Sequence, residues 1–181
     1  MKAINAYITE KFQVSKDNIR KYAYYPKNKD ELREILEERL AKNKNADLND
    51  IDVSAITDMS ELFRGLDPHN IDISNWDVSN VINMSFMFFG CENFNSNLSD
   101  WDVSNVINMQ NMFHRCDIFN CDLSEWNVVK VKDMYGMFIY CFKFNSDLSK
   151  WNVANVKYMT SMFYGCTSLK NKPKWYKEYK G

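Results

Sequence analysis

The sequence predicts an α/β repeat protein, a solenoid of five 25-residue units that each contain a strand, a turn and a short helix, with a helical N-terminal cap. Two observations predict this fold class. Tryptophan recurs every 25 residues at Trp76, Trp101, Trp126 and Trp151. Within each unit the apolar residues change from an alternating spacing, typical of a strand, to a spacing of three and four, typical of a helix.

The residues around each tryptophan define the repeat. Trp76-Asp-Val-Ser-Asn-Val-Ile-Asn-Met84 recurs without change from Trp101 to Met109, and a diverged first copy begins at Ile51. The repeat block therefore covers residues 51–169, with units that start at 51, 76, 101, 126 and 151.

Each unit is predicted to begin with a short strand. In Leu98-Ser-Asp-Trp101-Asp-Val103 the large apolar residues alternate with Asp102. Because successive side chains of a strand point to opposite faces, Trp101 and Val103 are expected on a buried face and Asp102 on an exposed one.

A helix of about two turns is predicted to follow the strand. Its apolar residues lie at positions i, i+3, i+4 and i+7, and a short polar residue, Asn83 in the second unit, precedes them where it would cap the helix. In that unit the apolar residues are Met84, Met87, Phe88 and Cys91.

A single unit is too small to bury its own apolar face, so neighbouring units must stack and the two ends of the stack need covers. Residues 1–50 are predicted to form the N-terminal cap, with a helix over residues 28–43 that carries an apolar stripe. Residues 170–181 are predicted to form a basic, aromatic C-terminal cap that lays Trp175 and Tyr179 over the last unit.

The recurring string Trp-Asp-Val-Ser-Asn-Val-x-x-Met-x-x-Met-Phe-x-x-Cys-x-x-Phe-Asn-x-Asp-Leu-Ser extends over residues 51–169. It resembles the BspA-like leucine-rich-repeat proteins, also described as mycoplasma lipoprotein-type repeats. The resemblance implies a leucine-rich-repeat-like solenoid that serves protein binding, adhesion or surface display.

Composition excludes several classes of function. The 181 residues include only 5 Gly and have a formal net charge of −1, which disfavours glycine-rich phosphate loops and general nucleic-acid binding. No apolar run reaches the length of a membrane span, which is about 18 residues. The N-terminus also lacks an unbroken apolar signal region, so we expect a protein of the cytoplasm, or an extracellular one if a signal peptide has been removed. The expected source is a bacterium or a phage.

The cysteines and histidines do not form a predicted metal or catalytic site. Cys91, Cys116, Cys141 and Cys166 recur every 25 residues at the end of the apolar stripe, where small buried thiols fill the core. There is no Cys-x-x-Cys pair, and the two histidines occupy unrelated positions of the repeat. We therefore expect no cofactor, no metal and no enzymatic activity.

The exposed strand positions are predicted to form an acidic face. The repeat block contains 14 Asp and Glu against 7 Lys and Arg, and such a surface steers partners that carry positive charge. The candidate binding residues on this face are Asp52, Asp77, Asp100, Asp102 and Glu125.

The helix side is predicted to carry an aromatic patch. Residues there vary between units while the apolar framework stays fixed, and aromatic residues are enriched in protein interfaces. The alternative is that these rings tuck between units as part of the packing. The candidate residues are Phe86, Phe89, Tyr135, Tyr140 and Tyr164.

The sequence thus favours a rigid, non-catalytic module that binds a protein partner through the acidic face, the aromatic patch or both. Two alternatives remain. One is an inhibitor or immunity-type protein that occludes a nucleic-acid enzyme, and the other is a surface adhesin that has lost its signal peptide. The sequence leaves the partner, the source and the oligomeric state open.

Overall fold

The computed structural model of the protein describes residues 22–177. Over that range the secondary structure consists of one helix, α1 (Lys29–Lys42), and single parallel bridges joined by turns and loops. The predicted leucine-rich-repeat-like solenoid of strand, turn and short-helix units is therefore wrong. The 25-residue units instead stack on one another through turns.

Single parallel bridges replace the predicted strands. Five of the six bridges join a residue to the one 25 positions further along the chain, so the units lie in register, but no bridge extends into a ladder. An alternating apolar pattern does not require a strand, because turns can also orient alternate side chains inward. The bridges that join the repeat units are Asp58 to Asn83, Asn83 to Asn108, Asn108 to Asp133, and Asp133 to Tyr158.

Turns also replace the predicted short helix. Residues 85–90 form consecutive turns, and Phe86 and Gly90 within them have positive φ angles of 57° and 75°. A helix needs every residue in the right-handed region, so these two positions end it. The backbone N–H of Phe86 donates instead to the carbonyl of Gln110 in the next unit, at 2.8 Å.

The core consists of columns of equivalent side chains, one from each unit. Phe88 lies between Phe63 and Phe113, with ring centroids 5.0 and 5.5 Å away and nearly parallel planes. Trp126 is 4% exposed, and its indole N–H donates to the carbonyl of Leu98 at 2.9 Å. Each such buried hydrogen bond contributes about 1 kcal/mol to stability. The other tryptophans that make this bond are Trp76, Trp101, Trp151 and Trp175.

Helix α1 covers the N-terminal end of the stack. Its start is fixed by Asn28, whose side-chain oxygen accepts the backbone N–H of Glu31 at 3.0 Å. Leu32, Leu36 and Leu40 lie on one side of the helix and are fully buried against the first units. The sequence prediction of a helix over residues 28–43 is thus met by α1, whereas the proposed domain boundaries remain a prediction.

The C-terminal segment covers part of the other end. Trp175 stacks on Trp151 with centroids 6.4 Å apart, and Tyr176 meets Phe163 edge-on at 5.0 Å. The predicted contribution of Tyr179 lies outside the described residues. In the last unit Val156 and Met159 are only partly buried.

The recurring cysteines fill the core as predicted. Cys91, Cys116 and Cys141 are fully buried, while Cys166 in the last unit is partly exposed. The thiol of Cys116 donates to the carbonyl of Phe88 at 3.1 Å. Burial raises the pKa of this thiol well above its ordinary value, so it stays protonated.

Candidate protein-binding surface

Four rings from consecutive units form a continuous row along one side of the stack. The centroids of Phe89 and His114 lie 4.7 Å apart, those of His114 and Tyr140 6.2 Å, and those of Tyr140 and Tyr164 5.5 Å. We call Phe89, His114, Tyr140 and Tyr164 the aromatic ladder. It runs from the second unit to the fifth.

Three further side chains extend the aromatic ladder. The guanidinium of Arg64 lies 5.1 Å from the ring centroid of Phe89, the first ring of the ladder, and makes a cation–π contact with it. The Phe86 ring lies 5.7 Å from Phe89, and the Phe142 ring lies 6.0 Å from Tyr140.

The structure brings together four of the five rings predicted as an aromatic patch, Phe86, Phe89, Tyr140 and Tyr164. Tyr135 is 41% exposed but makes no ring contact with any other described residue. Two rings of this surface, the ladder residue His114 and the adjoining Phe142, were not among the predicted residues. His114 stands in the same repeat position as Phe89 and Tyr164, and this equivalence is visible in the sequence. The closeness of Phe142 to Tyr140, two residues earlier, is visible there as well.

Backbone conformation places the Tyr140 ring in the ladder. Tyr140 has a positive φ of 59° and Gly165, the equivalent residue of the next unit, has a φ of 77°. A Cβ atom at Gly165 would lie 2.5 Å from Cδ1 of Tyr140. The glycine therefore leaves the space that the tyrosine ring occupies.

The ladder becomes more exposed towards its C-terminal end. Phe89 and His114 are half-buried, whereas Tyr140 is 37% exposed and Tyr164 is 60% exposed. Burial, assisted by the nearby charge of Arg115, lowers the pKa of His114. The histidine is therefore neutral at neutral pH, and the ladder presents an uncharged aromatic surface.

The predicted acidic face is built from turns rather than strands. Asp52, Asp77 and Asp102 occupy the same position in three consecutive units and form an acidic column. Each accepts the backbone N–H of the serine two residues later, at 3.0 to 3.1 Å. This Asx turn gives the carboxylates a structural role that the sequence analysis did not assign to them.

Hydrogen bonds stabilise the charged form of one member of the acidic column. Hydrogen bonds from Ser104 lower the pKa of Asp102. Asp100 is exposed and lies two residues before Asp102. Glu125, also exposed, forms an ion pair with Lys150, so its charge is offset.

Charge is distributed unequally along the stack. Residues 51–125 contain 12 Asp and Glu but only 2 Arg and no Lys, whereas residues 126–177 contain 9 Lys and only 2 Asp. The acidic column therefore lies in the negative half, and the most exposed rings of the aromatic ladder lie in the positive half.

Two further features of the described chain bear on the site. Within residues 22–177, no three His, Cys, Asp or Glu side chains converge in a way that would hold a metal ion. Over the same range, α1 is the only helix, and it has neither the length nor the apolar character that crossing a membrane requires.

The family of the chain follows from its repeats. No curated protein and no solved structure matches the chain. Residues 31–139 and, in a second overlapping match, residues 101–179 fit the family described as "Mycoplasma protein of unknown function, DUF285". These matches include the whole repeat block and helix α1 from residue 31 onwards, and the chain belongs to this mycoplasma-type family.

Proposed function

We propose that the protein is a non-catalytic protein-binding module whose partner docks on the aromatic ladder. The observation that carries this proposal is the continuous row of partly exposed rings that ends at Tyr140 and Tyr164. The resemblance of the repeat to BspA-like leucine-rich-repeat proteins supports it, because that resemblance implies protein binding.

Rigidity favours binding through these rings. The backbone beneath the ladder is tied to the neighbouring unit, as when the N–H of Tyr140 donates to the carbonyl of Tyr164 at 2.8 Å. A surface that is already ordered loses little conformational entropy when a partner binds. Aromatic side chains held in this way are typical binding hot spots.

The acidic column contributes to association rather than to the docked contact. Asp77 and Asp102 are exposed and lie in the half of the stack where acidic residues outnumber basic ones. A negative field of this kind raises the association rate of a partner with a basic surface and weakens with added salt.

The proposal is tested by weakening the ladder without disturbing the stack. The partner that wild-type protein retains from cells of its source is identified, and its Kd is measured for the double variant Tyr140→Ser, Tyr164→Ser. We expect Kd to rise at least about 30-fold, since a hot spot contributes about 2 kcal/mol.

Tyr158→Ser is the matched control. Tyr158 is 61% exposed, lies outside the aromatic ladder and has no ring contact among the described residues. Its substitution should leave Kd unchanged. Equal loss of binding in both variants, or no loss in the ladder variant, would contradict the proposal.

The acidic half of the stack favours a second candidate, inhibition of a nucleic-acid enzyme. Residues 51–125 present 12 Asp and Glu with little opposing charge, and carboxylates can take the place of phosphates at a basic surface. Addition of purified protein should then protect DNA or RNA from a nuclease of the host. The double variant Asp77→Lys, Asp102→Lys should lose that protection while the ladder variant keeps it.

A further inference from the structure

In the turns of each unit, one row of backbone N–H groups points in the same direction along the stack, while beside the bridges N–H groups such as that of Ile82 point the opposite way. At the interface between the first and second units, the N–H groups of Met59, Glu61 and Phe63 all donate to carbonyls of the second unit, at 2.8 to 2.9 Å. The same positions make the same bonds at the three later interfaces. These N–H groups therefore all point towards the C-terminal end, and the carbonyls that accept them point towards the N-terminal end.

Cationic side chains close the N-terminal end. Arg33 of helix α1 donates at 2.8 Å to the carbonyl of Leu62, which belongs to this row, and at 3.1 Å to that of Glu61 beside it, while Lys44 donates to the carbonyl of Leu66 outside the row. Aligned carbonyls carry a partial negative charge, and positive side chains stabilise it.

At the C-terminal end, the described residues leave some of the equivalent N–H groups of the fifth unit without an acceptor. In the fourth unit the N–H groups of Met134 and Gly136 donate to carbonyls of the fifth unit at 2.7 and 3.1 Å. The equivalent groups of Met159, Ser161 and Gly165 in the fifth unit have no acceptor among residues 22–177.

These three residues are accessible to a ligand. Met159, Ser161 and Gly165 are all partly exposed. Phe163, whose N–H belongs to the same row, is buried and has the Tyr176 ring against its side chain. The three accessible N–H groups thus lie beside the C-terminal segment, not beneath it.

Charge around this end has the same sign as the free N–H groups. Residues 126–177 contain 9 Lys against 2 Asp, and Lys157, which is exposed, lies two residues before Met159. Unpaired N–H donors and lysines together favour a negatively charged ligand with several acceptor oxygens.

We propose that this end of the stack is a docking site for an acidic, extended segment of a partner protein. Carbonyl and carboxylate oxygens of the segment accept the N–H groups of Met159, Ser161 and Gly165, and Lys157 meets its negative charge. The donors of Met159 and Ser161 are two residues apart, as are the carbonyls along one edge of an extended chain, and Gly165 supplies a third donor four residues further on. The site uses backbone N–H groups at the end of the stack, whereas the aromatic ladder uses rings along its side, and the two meet at Tyr164 and Gly165.

The test uses a short peptide of alternating Glu and Val residues as the probe, titrated into the isotopically labelled full chain and followed by NMR. We expect the amide resonances of Met159, Ser161 and Gly165 to shift, and their hydrogen exchange to slow at least tenfold at saturation. A peptide of alternating Lys and Val should produce neither effect.

Two charge variants complete the test. Lys157→Glu should weaken peptide binding at least fivefold, whereas Lys143→Glu, an exposed lysine of the fourth unit outside the row, should leave it unchanged. The proposal is overturned if the three amides are already protected without peptide, if they exchange as before when it is bound, or if both peptides bind equally. Concentration-dependent pairing of two copies through these amides would also overturn it.

Discussion

At the residue scale, hydrogen bonds from buried thiols to carbonyls recur along the stack. The thiol of Cys91 donates to the carbonyl of Phe63 at 3.5 Å, and that of Cys141 donates to the carbonyl of Phe113 at 2.9 Å. Burial raises the pKa of Cys91 to about 12. These cysteines therefore act as small apolar residues with a donor, not as reactive groups.

The raised pKa of Cys91 predicts a loss of stability at alkaline pH. The folded state keeps the thiol proton up to about pH 12, while the unfolded state loses it above about pH 8.5, so stability falls as pH rises through this window. We expect the free energy of unfolding of Cys91→Ala to fall less steeply than that of wild type, by about 1.4 kcal/mol per pH unit. Urea denaturation between about pH 8.5 and pH 11 measures it. The prediction is refuted if the free energies of unfolding of wild type and Cys91→Ala fall at the same rate as pH rises.

Substitutions at two glycines allow the stability cost of backbone strain to be measured apart from the cost of a side-chain clash. Gly90 and Gly165 have similar φ angles of 75° and 77°, but a Cβ atom would meet nothing within 4 Å at Gly90 and the Tyr140 ring at Gly165. Gly90→Ala should cost about 1–2 kcal/mol for the left-handed backbone alone. Gly165→Ala should cost more and should shift the Tyr140 ring resonances, as NMR and urea denaturation would show. Equal costs with unmoved Tyr140 resonances would show that the close approach is unimportant.

At the scale of the element, helix α1 was predictable and the elements of the repeat were not. Asn28, the acidic first turn and the buried leucines are local signals, and they define a helix at Lys29–Lys42. In the repeat, the spacing of Met84, Met87 and Phe88 correctly identified buried residues. That spacing cannot distinguish a helix from turns whose N–H groups bond to the next unit, because such bonds join residues 24 positions apart.

The difference between a helix and turns also explains the role of the short polar residue that precedes the first methionine of each unit. Asn83 was predicted to cap a helix, and its side-chain oxygen does accept a backbone N–H two residues later, from Ser85 at 3.1 Å. The bond is of the predicted kind, but it belongs to an Asx turn. In a similar way, the N–H of Asn145 donates to the side-chain oxygen of Asn120, the equivalent residue of the preceding unit, at 2.9 Å.

Helix α1 should stabilise the whole stack because it covers the first apolar cross-section. Leu36 is fully buried, so Leu36→Ala should lower the free energy of unfolding by about 2–5 kcal/mol. Glu34→Ala, an exposed position of the same helix, should change it by less than about 0.5 kcal/mol. Urea denaturation compares the two variants, and a small effect of Leu36→Ala would mean that the helix is not an integral cover.

At the scale of the whole molecule, each unit contacts chiefly its two neighbours. Phe113 stacks on Phe88 and Phe138, the equivalent residues of the adjoining units, at 5.5 and 5.6 Å. The aromatic ladder could be predicted only in part, because its continuity depends on stacking that brings Phe89, His114 and Tyr164 into one row. The common direction of the N–H groups in the turns was not predictable, since it depends on hydrogen bonds between units that the apolar pattern does not specify.

This arrangement predicts that one whole unit can be removed. In a variant that lacks residues 101–125, the unit that begins at Trp126 should stack on residues 76–100 and make equivalent contacts. We expect a folded protein with a lower Tm, measured by circular dichroism and calorimetry. A variant that lacks only residues 101–112 breaks the register and should not fold. Loss of folding in both variants would contradict the independence of the units.

The central claim, that the partner docks on the aromatic ladder, is tested most directly by site-specific photo-crosslinking. A photoreactive phenylalanine replaces Tyr164 in the ladder or Tyr158 outside it, two exposed tyrosines of the same unit. Irradiation in cells of the source should join one discrete partner protein to the chain labelled at Tyr164 and none to the chain labelled at Tyr158. Crosslinking of the same partner from Tyr158 alone, or from neither position while the partner still co-purifies, would contradict the claim.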